Sequence, residues 1–235
     1  MINIVSHNNP KSTISEAYRM LRTNIEFSNL DQDLKTIVVT SSKQNEGKTT
    51  IVANLAVSFA HLENKKVLIL DGDLRNPSIH RMFNITNSYG LTDVLTGKKS
   101  LETCLQTCEL KNLHIMTTGA VPPNPSEILS SNKMKNFIEL MKEHYDYIFI
   151  DSPPIGIITD AGIISTYVDG TVMVVSSREV DIELAKIAKE RLDKVNANII
   201  GAVLNKFENK SNGYDYYNYY YQQTDNSWVG RKKKK

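Results

Sequence analysis

The chain has 235 residues, 40% of them hydrophobic, which is enough apolar material for one ordinary globular core with short appendages. Its 28 Lys and Arg against 26 Asp and Glu leave a formal charge of +2, too balanced for bulk electrostatics to argue for a nucleic-acid partner. The N-terminal "MINIVSHNNPKS" lacks the basic-then-apolar pattern of a secretory signal, and no apolar run approaches the ~20 residues that span a bilayer, so a cytoplasmic protein is expected.

In chain order, "STISEAYRMLRTNIEF" opens with capping residues and sets Ile14, Tyr18, Leu21 and Ile25 at helical spacing, predicting an amphipathic helix ahead of the core. Six short runs follow, "TIVVTS", "KVLILD", "LHIMTTG", "DYIFID", "GTVMVVS" and "IIGAVLN", alternating with longer stretches of helical spacing. Their nearly continuous apolar character suits central parallel strands covered on both faces. The expected fold is therefore α/β, a doubly wound, mostly parallel sheet, which the loop after its first run, ending in Gly47-Lys48-Thr49, makes one of the P-loop NTPase kind. Residues 1–34 form an N-terminal segment, 35–207 the P-loop domain and 208–235 a tail. Ligands of such sheets sit beyond the C-terminal strand ends, where the polar residues closing each run gather.

The first run leads into "SKQNEGKTTIVANLAVSFA", a loop ending in Gly47-Lys48-Thr49 and opening an apolar helix. Phosphate binding needs successive backbone N–H groups at a helix N-terminus, a Lys on the terminal phosphates and a hydroxyl on Mg²⁺. Asn45, Glu46, Gly47, Lys48, Thr49 and Thr50 are the candidate cradle, with Lys48 and Thr49 supplying the ammonium and the hydroxyl. Ser42 stands where the pattern has its first Gly, and Asn45 is the residue able to take left-handed backbone. The second run ends in Asp71 and Asp73, two apart, whose repulsion a cation would relieve. Cys104 and Cys108, four apart, are read as reduced thiols on one helical face without metal partners. In "TGAVPPNPSEILSSNKMKNF" three prolines break the chain and Ser126 is the expected cap of the next helix. "DYIFID" ends in Asp151, placed as a second Mg²⁺ acid, and "AVLNK" ends in Asn205, read either as a strand stop or as a residue beside the nucleotide base.

The tail packs Tyr214, Tyr216, Tyr217, Tyr219, Tyr220 and Tyr221 into eight positions with no consistent face, so neither strand nor core explains it. The terminal "RKKKK" could add solubility or lie against an anionic membrane.

Together, "EAYRMLRTNIEF", "TSSKQNEGKTT", "LILDGDLRNP" with Arg75, "VPPNPSEIL", "IFIDSPP" and the Tyr-rich tail resemble the bacterial tyrosine kinases of capsule and exopolysaccharide synthesis, a family with a deviant P-loop like that of partitioning ATPases. Lys43, five residues before Lys48, has the offset of the second lysine in such loops. The resemblance implies ATP and Mg²⁺ as cofactors and transfer to the tail tyrosines of a neighbouring subunit. Lys48 would grip the phosphates, and Thr49, Asp73 and Asp151 would serve the metal. Asp71 or Asp73 would accept the phenol proton, Asp71 being favoured. Glu16, Arg19 and Arg22 match the family's oligomerisation motif. The implied partners are other copies in a ring, a separate transmembrane adaptor that holds the protein at the inner membrane face, and a cognate tyrosine phosphatase. The family P-loop commonly has Pro-Gly where this chain has Gln44-Asn45. Rival readings are a partitioning ATPase without kinase activity, against which the clustered tyrosines argue, and a noncatalytic ATP-binding scaffold, which loss of phosphotyrosine in Lys48→Met would exclude.

Overall fold

The six apolar runs become strands of one sheet, and their side chains alternate between its two faces. The computed structural model describes residues 4–28 and 33–208. The strands are β1 Thr36–Ser41, β2 Val67–Asp71, β3 Leu105–Thr107, β4 Leu113–Met116, β5 Tyr147–Asp151, β6 Gly170–Ser176 and β7 Ile199–Asn205. The helices are α1 Val5–Asn8, α2 Thr13–Ser28, α3 Lys48–Ala60, α4 Ile79–Phe83, α5 Leu91–Leu95, α6 Leu101–Cys104, α7 Pro125–Ser130, α8 Asn132–His144, α9 Asp160–Ser165 and α10 Ile182–Lys194. The strand order is β3-β4-β2-β5-β1-β6-β7. Every pairing is parallel except β3 with β4.

The period of two divides the core. Ile37, Val39, Val67, Ile69, Tyr147 and Phe149 join α1 to α4 on one face, while Val38, Leu68, Leu70, Ile148 and Ile150 join α5, α8 and α9 on the other. Phe59 of α3 sets its ring 4.3 Å from Tyr147 and 5.1 Å from Phe149. Burying each such side chain contributes about 1.5–3 kcal/mol. The two faces make the central strands apolar throughout, so their polar atoms appear where the strands stop.

Four expectations are corrected. β3 was not anticipated: "LQT" is three residues long, partly exposed and polar, and it pairs antiparallel on the outer side of β4. Cys104 and Cys108 do not share a helical face, because α6 ends at Cys104 and the chain continues as β3; both are free thiols. Ser126 is not the cap of α7, which starts from Asn124 with Pro125 in its first turn. On α2, Tyr18 and Ile25 are buried and Leu21 packs against the same cluster, but Ile14 points outward, 52% exposed.

The chain divides into two units, Met1–Asn205 and Lys206–Lys235. The predicted cluster from Tyr214 to Tyr221 lies outside the described residues. Among the described residues no helix is long and apolar enough to cross a membrane.

Candidate active site

The order of strands puts the ends of β2, β5 and β1 side by side. Asp71 and Asp151, the last residues of β2 and β5, are partners in register, and Val39 of β1 is the partner of Asp151 on the other side. The loop from β1 to α3 curls over these ends with two left-handed residues, Asn45 at φ 62° and Gly47 at φ 94°. Asn accepts that conformation better than other non-glycine residues, as its place in the sequence suggested. Gly47 is required twice, since a Cβ there would also stand 2.1 Å from Asn205 Nδ2. That same Nδ2 donates to the Glu46 carbonyl at 2.8 Å, so the end of β7 is fastened to the loop. The loop after β5 passes closely as well: a Cβ on Gly156 would lie 1.9 Å from the Ser42 carbonyl.

Lys48 is the first residue of α3 and is buried. Burial lowers its proton affinity, against the opposing pull of Asp151, Asp73 and Glu46. Thr49 Oγ1 donates to Asp151 Oδ2 at 2.6 Å and shares a 2.8 Å hydrogen bond with Ser78 Oγ. Thr50 is exposed on the first turn of the same helix. Asp71 Oδ2 accepts from the backbone N–H groups of Ser78 at 2.9 Å and Ile79 at 3.0 Å, which fixes the start of α4. Asp71 Oδ1 and Asp151 Oδ1 are both buried with no hydrogen-bond partner. Asp73 lies past the strand end, its Oδ1 accepting from Asn76 N at 2.9 Å and Arg75 N at 3.3 Å.

Orphan carboxylate oxygens inside a protein are costly, and their proton affinities report it. Burial and then the charge of Asp151 raise the pKa of Asp71. Burial raises that of Asp151 too, against the Thr49 hydroxyl and the Lys48 ammonium. Asp73 is raised by burial, its turn N–H groups opposing. The orphan oxygen of Asp151 and the Thr49 hydroxyl suit a small, hard dication. No group of three His, Cys, Asp or Glu side chains among the described residues could hold a metal ion alone, so such a cation would complete its shell with phosphate and water oxygens.

The geometry adds Asp160 and Glu179, which the sequence did not single out, as partners of residues that it did. Arg75 reaches Asp160, the buried first residue of α9, with Nε to Oδ2 at 2.7 Å and Nη2 to Oδ1 at 3.1 Å. Ser126 donates to Asp160 Oδ1 at 2.8 Å and accepts from Arg75 at 2.9 Å, which is its actual role in place of a cap. This knot ties the Asp73 turn to α7 and α9. Glu46 turns its carboxylate away from the acids toward β6. Lys43 donates through Nζ to the Glu179 carbonyl.

Glu16, Arg19 and Arg22 lie apart from this site on α2. Arg19 pairs with Glu16, and its Nη1 donates to the Pro10 carbonyl at 2.8 Å. Arg22 Nη1 donates to the Ser58 carbonyl of α3 at 2.6 Å.

Known proteins share this fold. The ParA family, described as NUBPL iron-transfer P-loop NTPase, matches residues 33–228. Tyrosine-protein kinase YwqD of Bacillus subtilis (strain 168) is 43% identical over 92% of this chain and 91% of its own. Tyrosine-protein kinase wzc of Salmonella typhi is 32% identical over 90% of this chain but 29% of its own, so most of that relative lies outside the match. The solved kinase domain of Escherichia coli tyrosine kinase ETK superposes with a TM-score of 0.85 at 31% identity, covering 90% of this chain and 83% of that one. A P-loop fold implies nucleotide binding, and the relatives name the acceptor: the chain belongs to the bacterial tyrosine-protein kinases.

Proposed function

We propose that this kinase moves the terminal phosphoryl group of ATP, bound with Mg²⁺, onto tyrosines of the 214–221 cluster of a neighbouring copy, and so regulates the synthesis and export of a capsule or exopolysaccharide. The observation that carries the reading is the convergence of Lys48, Thr49, Asp71, Asp73 and Asp151 at the adjoining ends of β1, β2 and β5. The backbone N–H groups from Asn45 to Thr50 cradle the phosphates, and Lys48 grips their terminal oxygens. Thr49, Asp73 and Asp151 hold the cation, which when bound neutralises charge on the phosphate oxygens. Asp71 accepts the phenol proton at Oδ1, the oxygen left without a partner. An unperturbed phenol has a pKa near ~10, so orienting a neutral hydroxyl is the main task, and a carboxylate with raised proton affinity suffices. Asn205 is the base-side residue, its amide already anchored to the loop.

The test uses the full chain with ATP, Mg²⁺ and the cytoplasmic segment of an adaptor, followed by phosphopeptide mapping. Phosphate will appear on peptides spanning 214–221; ATP hydrolysis with no phosphotyrosine would sink the reading.

The proposed setting is a ring of copies at the inner membrane face, recruited from the cytoplasm by a transmembrane adaptor, reset by a tyrosine phosphatase and independent of nucleic acid. Exposed Ile14, Met20 and Phe27 on the helix that carries Glu16, Arg19 and Arg22 support an interface between copies. Changing those three charged residues together to Ala will shrink the particle in size-exclusion chromatography with light scattering; an unaltered mass removes α2 from the interface.

A further inference from the structure

The loop between β1 and α3 has to be rigid without the residues that usually make it so, since Gln44 and Asn45 hold its tip and Gly47 is its one glycine. Each backbone residue left free there would have to lose its conformational freedom when phosphate arrives. Something else fixes it. Glu46 is 0% exposed, and a carboxylate buried so deeply is tolerated when donors surround it. Its Oε1 accepts from Ser42 Oγ and from the Lys43 backbone N–H, both at 2.6 Å, and its Oε2 accepts from the Ser176 N–H at the end of β6, at 2.8 Å. Its carbonyl accepts from Asn205 at the end of β7. The support continues outward, because Ser176 Oγ donates to Glu179 Oε2 at 2.8 Å and Lys43 Nζ donates to the Glu179 carbonyl.

We infer that Glu46 is a positioning residue of the kinase: its carboxylate braces the P-loop against β6, fixing the curl that receives phosphate before any nucleotide binds. A negative charge in a phosphate cradle would ordinarily repel its ligand. Here the charge is met by three donors, two within the loop itself and one at the end of β6, so the remaining loop N–H groups are left for phosphate. The side chain thereby holds in place a loop whose second left-handed residue is Asn45 rather than a glycine.

The inference rests on the proposed nucleotide site, so its test has one arm that needs no nucleotide. In nucleotide-free protein, Glu46→Ala will speed hydrogen exchange at the Lys43 and Ser176 amides by about tenfold or more, the expected loss for bonds to a charged acceptor. In calorimetry of the full chain, the same variant will weaken Mg·ATP binding about tenfold. Ser42→Ala, which keeps the glutamate and is the milder change, will weaken binding about threefold by itself and add nothing in the Glu46→Ala background. Unchanged exchange overturns the brace. Faster exchange with affinity within twofold overturns the positioning role and leaves Glu46 merely structural, as do Ser42→Ala and Glu46→Ala effects that multiply in full. A wild type that shows the protected amides yet binds no Mg·ATP overturns the nucleotide site, and the positioning role with it.

Discussion

Lys48→Met will abolish phosphotransfer to tyrosine, by at least about 10²–10³-fold, while the protein still folds. Losing one preorganised donor at a site of developing charge has an effect of that size, and Lys48 is the cation whose charge Asp151 and Asp73 feel. Met keeps the length and most of the apolar volume of the lysine stem, so α3 and the cluster beneath it are undisturbed. The ammonium is disfavoured by its own burial, and removing it relieves that cost. The same removal leaves Asp151 without its cationic neighbour, so the two stability effects oppose each other. The measurement is phosphotyrosine on the full chain, alongside thermal melting without nucleotide. Wild-type phosphotyrosine in a folded variant would take Lys48 out of the site.

Asp71→Asn will also abolish activity, and it will make the nucleotide-free protein more stable than the wild type. The Asn carbonyl can still accept from the N–H groups of Ser78 and Ile79. Its NH₂ replaces an orphan oxygen and points a donor into a site where Asp151 Oδ1 lacks one. Satisfying buried acceptors of this kind is worth about 1–3 kcal/mol, or a rise of roughly 2–10 °C in Tm for a chain of this size. The gain depends on pH with a defined sign. Asp71 binds its proton more tightly folded than unfolded, so the wild type loses stability as pH rises from the ordinary carboxylate range through the raised value. Asn does not titrate. The advantage of the variant is therefore largest above that raised value and shrinks as pH falls, and comparing the two chains cancels the titration they share. Equal melting temperatures at high pH would show that the orphan oxygens carry no strain. Retained kinase activity would remove Asp71 as proton acceptor.

What could be read from the sequence follows how far apart the cooperating residues stand. Lys48 and Thr49 could be placed as a candidate cradle because its parts are local, a strand, a curl and a helix start following one another directly. Asp71 and Asp151 were legible as polar ends of apolar runs, but their register, which makes them a pair, belongs to the sheet. The Arg75, Ser126 and Asp160 knot spans separations of 34 to 85 residues and leaves no local pattern. Ser126 was misread because a Ser near a proline break suits a cap, whereas tertiary bonding claimed it. β3 escaped notice because a three-residue edge strand has too few positions to display a period. Glu46 was placed in the cradle by position alone, and its side chain faces the other way.

The sheet has two unlike rims. β3 closes one with three residues, too short to template another strand. β7 closes the other with seven, Leu204 half exposed, and among the described residues it pairs with β6 alone. An unpaired row of N–H and C=O groups beside aliphatic side chains is where a second backbone adds most cheaply. In concentrated solution, aggregation by strand addition will therefore begin along β7, far from β3, and its onset will depend on that rim more than on any residue of the phosphate site.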